Sequence, residues 1–338
     1  MNSDARRRRR LASAMALVIV LGLAAGLATG SAGFSPSALR TDLLGGDAAL
    51  LLGQIRAPRS LGALLVGALL GLSGAIAQGL FRNPLADPYL LGSASGAALG
   101  VVLVLAAASL AGHGLALATA LWIERVGLVS AAFVGALVGV TLTLSLARGA
   151  VQTLRLLLAG VVVGVVLGAV SDLITVASPD ALRGKQMFML GSTSFLGWNA
   201  LALLAAGLAL LLLLAWRHAR ALDALTLGED SAASLGLDLA TVRLRLVLML
   251  SLGTALAVSQ AGLVAFVGLV APHLVRRNAP GAHGWLLLGS AGMGAALLLV
   301  ADVLSRALIA PEELPVGVVT AVLGGVYLFW LLRQRTVS

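Results

Sequence analysis

The sequence predicts an all-α, polytopic membrane protein with about ten transmembrane helices. The chain has 338 residues, of which 59% are hydrophobic and only 11% charged, and its mean hydropathy is +1.03. A soluble protein of this length needs far more charge to cover its surface, so the bilayer must solvate most of the chain. Apolar runs recur along the whole sequence and leave no separate soluble region. Residues 1–338 are therefore expected to form a single transmembrane domain.

Ten apolar runs approach the roughly 20 residues that a helix needs to cross the hydrocarbon core. They cover residues 11–31, 61–81, 89–110, 126–146, 154–177, 198–216, 244–260, 262–275, 285–304 and 316–332. The seventh and eighth runs are barely separated, and the eighth is short. The first run follows Arg6–Arg10, as in a signal peptide, but it exceeds the ~7–15 apolar residues typical of such a segment. A retained first helix is expected.

The distribution of basic residues predicts the orientation. An even number of spans places both termini on one side, and that side then carries 16 of the 23 lysines and arginines. The other side holds seven: Arg40, Arg56, Arg59, Arg125, Arg183, Lys185 and Arg306. Because cytoplasmic loops carry the excess of Lys and Arg, both termini and the connector at residues 82–88 are expected in the cytoplasm.

Composition excludes several classes of function. The net charge of +9 lies in short connectors between apolar runs, so it does not indicate a nucleic-acid partner. The chain has no cysteine, which excludes disulfides, thiolate metal sites and thiol catalysis. Glycines at four-residue spacing, as in Gly92, Gly96 and Gly100 or Gly160, Gly164 and Gly168, predict close packing between helices.

One connector, RNPLADP at residues 82–88, is polar and punctuated by prolines between two uncharged runs. Asn83-Pro84 and Asp87-Pro88 are dipeptides that start turns, and Asp87 with Pro88 suits the N-cap and first position of the next helix. A sharp capped turn between two membrane helices is either a well-made hairpin loop or a place where a partner docks or a pathway closes.

A second connector, about 217–243, holds most of the polar residues of the predicted cytoplasmic side. Within it, Leu227–Gly236 indicates a short helix that is acidic at its start and is stopped by Gly236. Three apolar side chains of this connector are expected to be buried by a contact, either with the chain's own helix ends or with a soluble partner; they are Leu225, Leu235 and Leu237.

The residues that known energy-coupling chemistry needs are scarce. The only lysine, Lys185, is followed by Gln186 in place of Ser or Thr, and Pro179 stands where a P-loop has its first glycine, so this chain is not expected to hydrolyse ATP through one. His113, His218, His273 and His283 have no metal-ligand spacing. Asp172 is the only acid well inside a span, as an ion-coupled carrier would require.

Four segments together resemble the FecCD-like permeases of the type II ABC importers, which import vitamin B12, haem and ferric siderophores. They are IRAPRSLGALLVGALLGLSGAIAQGLFRNPLADPYLLG at 55–92, LTLGEDSAASLGL at 225–237, GLVAFVGLVAPHLVRR at 262–277 and ADVLSRALIAPEELPVGVVTAVLGG at 301–325. The similarity covers nearly the whole chain after the first helix.

The resemblance implies the type II permease fold, with ten helices per subunit and a homodimer around a central path. It also implies two cytoplasmic ATP-binding subunits, which hold ATP and Mg²⁺, and one periplasmic substrate-binding protein. No cofactor or metal is implied for this chain itself.

The resemblance also assigns roles to residues. Asn83 and Leu85, with Thr153 of the next cytoplasmic loop, would form the inner gate. The ATPase-coupling segment would comprise Leu227, Gly228, Glu229, Ser231, Ala232, Leu235 and Gly236.

Arg56, Arg59 and Arg306 match outer arginines that receive acidic residues of the binding protein. Exposed guanidinium groups suit that role, because they bind carboxylates through two hydrogen bonds and steer a charged partner. A plainer interpretation of Arg306 is an ion pair with Asp302, four residues earlier. For Arg56 and Arg59, it is anchoring at the membrane interface.

The function expected is a permease subunit that moves a metal chelate from periplasm to cytoplasm, with haem or a ferric siderophore favoured and cobalamin open. The alternative is a secondary transporter driven by an ion gradient, in which Asp172 would be essential. A membrane-embedded enzyme is a third interpretation, but no clustered catalytic set supports it.

Overall fold

The computed structural model describes residues 3–30, 33–34, 50–111, 127–149 and 152–335. Arg40, His113 and Arg125, and the first residue of the expected span 126–146, lie outside this part of the chain. The described residues form thirteen helices: α1 Ser3–Ala28, α2 Ala57–Leu80, α3 Ser93–Ala111, α4 Leu128–Leu146, α5 Thr153–Ala177, α6 Pro179–Leu190, α7 Trp198–Arg217, α8 Ala219–Thr226, α9 Glu229–Ser234, α10 Leu239–Ala261, α11 Val267–Asn278, α12 His283–Ala307 and α13 Val316–Arg335.

The all-α membrane fold is confirmed. Eight helices in the described residues are long and apolar enough to cross a bilayer, and α13 adds a shorter apolar helix over Val316–Leu331. A five-residue π-helical turn, Leu52–Arg56, extends α2 at its start. Two short strands, Thr29–Gly30 and Gly33–Phe34, pair antiparallel after α1.

The expected span 262–275 is corrected by the structure. The chain leaves helix at Gly262, Phe266 adopts a left-handed φ of 67°, and α11 begins only at Val267 and has 12 residues. In the non-helical stretch, the Val264 oxygen accepts a hydrogen bond from Tyr89 Oη of the RNPLADP side of the bundle; in the first turn of α11, the Leu269 oxygen accepts one from Gln78 Nε2 of α2. Such cover is what non-helical backbone needs at membrane depth.

Helix α2 is the centre of the bundle. Its large side chains Leu69, Leu70, Leu72 and Ile76 are almost fully buried. Glycines on α2 let other helices approach its backbone closely. A Cβ atom at Gly71 would overlap the backbone oxygen of Ser290 in α12, and a Cβ atom at Gly74 would overlap the backbone oxygen of Gly268 in α11. The core is thus built on close contacts between helix backbones.

The glycines spaced four residues apart on α3 and on α5 differ in how closely another backbone approaches them. Gly96 and Gly100 of α3 pack directly on the backbone of α4 at Gly135 and Ala131, as the spacing predicts. On α5, only Gly160 is in such contact, with the Leu90 oxygen. A Cβ at Gly164 would have ordinary van der Waals clearance, 3.6 Å from Ser95 Oγ.

Two polar ends can be defined on the bundle. The Arg82 pole contains two sets of contacts: Glu229 forms ion pairs with Arg82 and Arg243, and His283 Nδ1 lies 2.7 Å from Asp223 Oδ1. The Asp302 pole contains Arg59, Thr193, Asp302, Arg306 and Glu313, which are also joined. The connectors expected on one side of the membrane therefore meet at one pole. Which pole faces the cytoplasm stays a prediction.

Candidate functional site

The RNPLADP connector at the Arg82 pole has an exposed half and a buried half. Residues 83–85 are exposed, whereas Ala86, Pro88 and Leu91 are buried. Two side chains fix the path of the backbone: Asn83 Oδ1 accepts from the Leu85 amide at 2.9 Å, and Asp87 Oδ1 accepts from the Tyr89 amide at 2.8 Å. Both are Asx turns.

The expectation that Asp87 caps the next helix is corrected, because α3 begins at Ser93 and not after Asp87. Residues 86–92 instead run inward as a non-helical segment, and Pro88 packs against Gly268 at the start of α11. Burial raises the pKa of the Asp87 carboxyl, and the hydrogen bond from the Tyr89 amide opposes that rise. Asp87 is therefore a turn-forming acid held in poorly hydrated surroundings.

A groove of about 400 Å³ opens beside this connector. It is lined by Arg82, Gln152, Thr153, Leu154, Leu157 and Glu229. Thr153, at the start of α5, and Arg82, of the RNPLADP connector, thus line the same groove, and the gate role stays a prediction. Asn83 and Leu85 are exposed on the neighbouring turn and do not line the groove itself. Leu154 is 68% exposed, so this wall of the groove is apolar.

The segment assigned to ATPase coupling forms the six-residue helix α9, held between two glycines. Gly228 precedes it with φ 106° and Gly236 follows it with φ 81°, conformations that only glycine adopts without strain. Its inner side is fixed to the rest of the chain: Ala232 is fully buried, and Glu229 pairs with Arg82 at 3.4 Å and with Arg243 at 2.5 Å. Glu229 therefore joins α9, the RNPLADP connector and α10.

Two exposed leucines lie at the ends of α9. Leu227 and Leu235, which flank the helix, are 66% and 64% exposed. Leu225 is buried, and Leu237 is half-buried against the core. The two alternatives for this connector therefore apply to different residues: the chain's own helices cover Leu225 and Leu237 but not Leu227 or Leu235.

At the Asp302 pole, one buried carboxylate holds two arginines. The side chain of Asp302 is fully buried. Its Oδ1 accepts hydrogen bonds from Arg59 Nε at 3.0 Å and from Thr193 Oγ1 at 2.5 Å. Its Oδ2 accepts a hydrogen bond from Arg306 Nη2 at 2.5 Å. Arg306 also donates to the Gly26, Thr29 and Ser60 oxygens. The pair Asp302–Arg306 expected from four-residue spacing is present and belongs to a larger network.

The three arginines assigned to docking differ in accessibility. Arg59 and Arg306 are 7% and 3% exposed, and Arg59 also pairs with Glu313 at 2.9 Å. Arg56 is half-buried at the end of the π-helical turn, where its Nη1 donates to the Leu27 oxygen at 3.2 Å. The docking role stays a prediction, and Glu313 is the exposed acid of this group.

The remaining candidates have local partners. Asp172 pairs with Lys185 of α6, and its side chain is 74% exposed. His283 pairs with Asp223, His218 Nδ1 lies 2.8 Å from the Leu214 oxygen, and His273 packs against Tyr327. Within the described ranges, no group of three His, Asp or Glu side chains is placed to hold a metal ion.

Several functional partners were not predicted from the sequence. Thr193 and Glu313 reach Asp302 and Arg59 from connectors more than 100 residues away, and no spacing rule reports such contacts. Helix α6 was also missed, although Ser178 before Pro179 is a start signal. Its 12 residues are too few and too polar to register as a span.

The eight long apolar helices in the described part of the chain define a multi-pass membrane protein. The chain matches the FecCD transport family over residues 16–334 and belongs to that family, the permeases of type II ABC importers.

Relatives agree with this assignment. The chain is 42% identical over 285 residues to the hemin transport system permease protein HmuU of Yersinia pestis, covering 83% of each chain. It is 38% identical over 332 residues to the vitamin B12 import system permease protein BtuC of Salmonella paratyphi A, covering 97% of this chain and 96% of that one. A solved structure described as an inward-facing conformation of a metal-chelate type ABC transporter superposes with a TM-score of 0.82 at 26% identity, covering 96% of this chain and 99% of the other.

Proposed function

We propose that this chain is the membrane subunit of an importer that carries a metal chelate from the periplasm to the cytoplasm. In this proposal, two copies of the chain enclose the path, two cytoplasmic subunits bind ATP with Mg²⁺, and one periplasmic protein delivers the substrate. The observation that carries the proposal is α9, a small helix fixed to the transmembrane core, with the exposed apolar side chains of Leu227 and Leu235 at its two ends. The chain itself carries out no covalent chemistry.

The contacts of Glu229 give the proposal a mechanism. Closure of the ATP-binding subunits displaces α9, and Glu229 passes that movement to Arg82 of the RNPLADP connector and to Arg243 of α10. The connector carries Asn83 and Leu85, and Thr153 lies across the groove beside Arg82. Movement of α9 thus widens or narrows the gate formed by these three residues.

Haem or a ferric siderophore is the favoured substrate class, with cobalamin retained as an alternative. The relatives named for hemin and vitamin B12 transport support this range. The periplasmic protein, rather than the permease, supplies the selectivity, so the path itself needs no tight binding site.

The orientation completes the proposal. The Arg82 pole faces the cytoplasm of the bacterial inner membrane, and the Asp302 pole faces the periplasm. The excess of basic residues among the Arg82-side connectors supports this placement. Docking of the periplasmic protein then occurs over Arg56, Arg59 and Arg306, with the two buried arginines supporting the surface from below.

The test is transport by the permease, its ATP-binding subunit and its periplasmic protein, reconstituted in vesicles. Uptake of iron-labelled haem, a ferric hydroxamate siderophore and cobalamin is measured with and without ATP, in the absence of any ion gradient. ATP-dependent uptake of one of these chelates is expected. Uptake driven by a proton or sodium gradient without ATP, and abolished by Asp172→Asn, would establish the secondary transporter instead.

A further inference from the structure

Glu313 is the exposed member of the charged network at the Asp302 pole. The network contains two arginines, Arg59 and Arg306, and two acids, Asp302 and Glu313, so its formal charges balance. The side chains of Arg59, Arg306 and Asp302 are 9%, 2% and 0% exposed, whereas that of Glu313 is 37% exposed. Of the four groups, only the Glu313 carboxylate is open to a molecule that arrives from outside.

Two donors converge on the Glu313 carboxylate. Arg59 Nη1 lies 2.9 Å from both of its oxygens, and Ser194 Oγ donates to Oε2 at 3.2 Å. A guanidinium and a hydroxyl aimed at one carboxylate form a binding site for that group. In this structure, the site is filled by the chain's own side chain.

The other carboxylate of the network does not exchange with the outside. Asp302 is enclosed and holds Arg59, Arg306 and Thr193 together. An arriving carboxylate therefore reaches Arg59 by taking the place of Glu313. Glu313 lies in the connector between α12 and α13, outside both helices.

We propose that Glu313 occupies the place that a carboxylate of the periplasmic binding protein takes on Arg59 and Ser194, so that docking exchanges one carboxylate for another. This inference rests on the docking proposed above. The exchange keeps the buried arginines neutralised, which selects for a partner with an acid at this position. Because one ion pair replaces another, the net gain is small and the partner can leave after each transport cycle.

The test measures docking of the binding protein to the reconstituted permease–ATPase complex for Glu313→Gln and for the neighbouring control Glu312→Gln. Both variants remove one exposed negative charge, but Glu312 is not part of the network. Glu313→Gln is expected to tighten docking on the order of tenfold more than the control and to steepen its dependence on salt, because Arg59 then lacks its exposed counterion. Adding Ser194→Ala to Glu313→Gln is expected to reverse part of the gain.

Each outcome decides the question. Docking by Glu313→Gln that equals the control, or falls below wild type, would overturn the exchange. Glu313→Asp keeps the charge but shortens its reach, so it is expected to dock with intermediate affinity; an affinity at or below wild type for this variant also counts against the exchange. If the wild-type complex does not bind the periplasmic protein at all, the proposed docking fails, and the exchange fails with it.

Discussion

At the scale of single residues, Asp87 illustrates how one side chain serves two opposed requirements. Its carboxylate accepts the Tyr89 amide and so shapes the RNPLADP turn, yet burial raises its pKa above the usual 3.8. An acid whose pKa is higher in the folded state binds its proton more tightly there. The stability that it contributes is present below its ordinary pKa and is lost as the pH rises through the raised value.

Replacing Asp87 separates these two effects. The amide introduced by Asp87→Asn keeps an oxygen that can accept from Tyr89 but cannot ionise, so this variant is expected to raise the melting temperature at pH 7 and to flatten its decline from acidic to neutral pH. Asp87→Ala removes the turn hydrogen bond as well, which is worth about 1 kcal/mol, and is expected to melt below Asp87→Asn at every pH. Thermal unfolding of the detergent-solubilised permease checks both variants; equal pH profiles for wild type and Asp87→Asn would contradict the assignment.

The residues of the Asp302 pole show what sequence reasoning can and cannot reach. The pair of Asp302 with Arg306 follows from their spacing on one helix, and it is present. Arg59 joins the same carboxylate across 243 positions of sequence, and Thr193 across 109. Such contacts depend on how helices and connectors assemble, which local spacing does not encode.

At the scale of elements, the length of apolar runs predicted most of the spans, because each such run folds as one helix. It failed at 262–275, where Gly262 and Phe266 adopt positive φ values and interrupt the helix within an apolar sequence. Hydropathy does not register this break, because the residues are as apolar as those of a regular span. The partner of the Val264 carbonyl in this break, Tyr89, comes from another part of the chain.

The packing of α5 gives an element-scale prediction with an internal control. Gly160→Ala is expected to destabilise the permease by roughly 1–3 kcal/mol, because its new methyl group would overlap the Leu90 oxygen. Gly164→Ala, one turn later in the same helix, finds ordinary clearance and is expected to be neutral or to gain up to about 1 kcal/mol from helix propensity. Melting temperatures that fall equally in the two variants would contradict this view of the helix contact.

Substitutions of the exposed leucines beside α9 and of its ion-paired residue Glu229 are expected to affect different steps: binding of the ATP-binding subunit and substrate uptake per ATP. Leu227→Ala with Leu235→Ala removes the exposed apolar surface and is expected to weaken binding of the ATP-binding subunit by at least about tenfold, leaving the fold intact. Glu229→Gln keeps that surface but loses the ion pairs with Arg82 and Arg243. It is expected to bind the ATP-binding subunit normally and to hydrolyse ATP with reduced substrate uptake per ATP.

The adjacent acid provides the control for α9. Asp230 is exposed next to Glu229, so Asp230→Asn removes the same charge without touching the ion pairs. Subunit binding is measured by co-purification, and uptake per ATP hydrolysed in vesicles. If Asp230→Asn lowers that ratio as much as Glu229→Gln does, general charge rather than the link to Arg82 is responsible.

At the scale of the whole molecule, the separation of two polar poles makes the orientation testable. Because the chain has no cysteine, a single introduced thiol reports its own side of the membrane without interference. Ser234 at the end of α9 and Glu312 in the connector before α13 are both exposed, and they lie near opposite poles. With a membrane-impermeant maleimide on intact spheroplasts, Glu312→Cys is expected to be labelled directly, whereas Ser234→Cys is labelled only after permeabilisation. The reverse pattern would place the termini and the RNPLADP connector outside the cell, where no ATP-binding subunit could reach α9, and would therefore exclude the proposed mechanism together with the orientation.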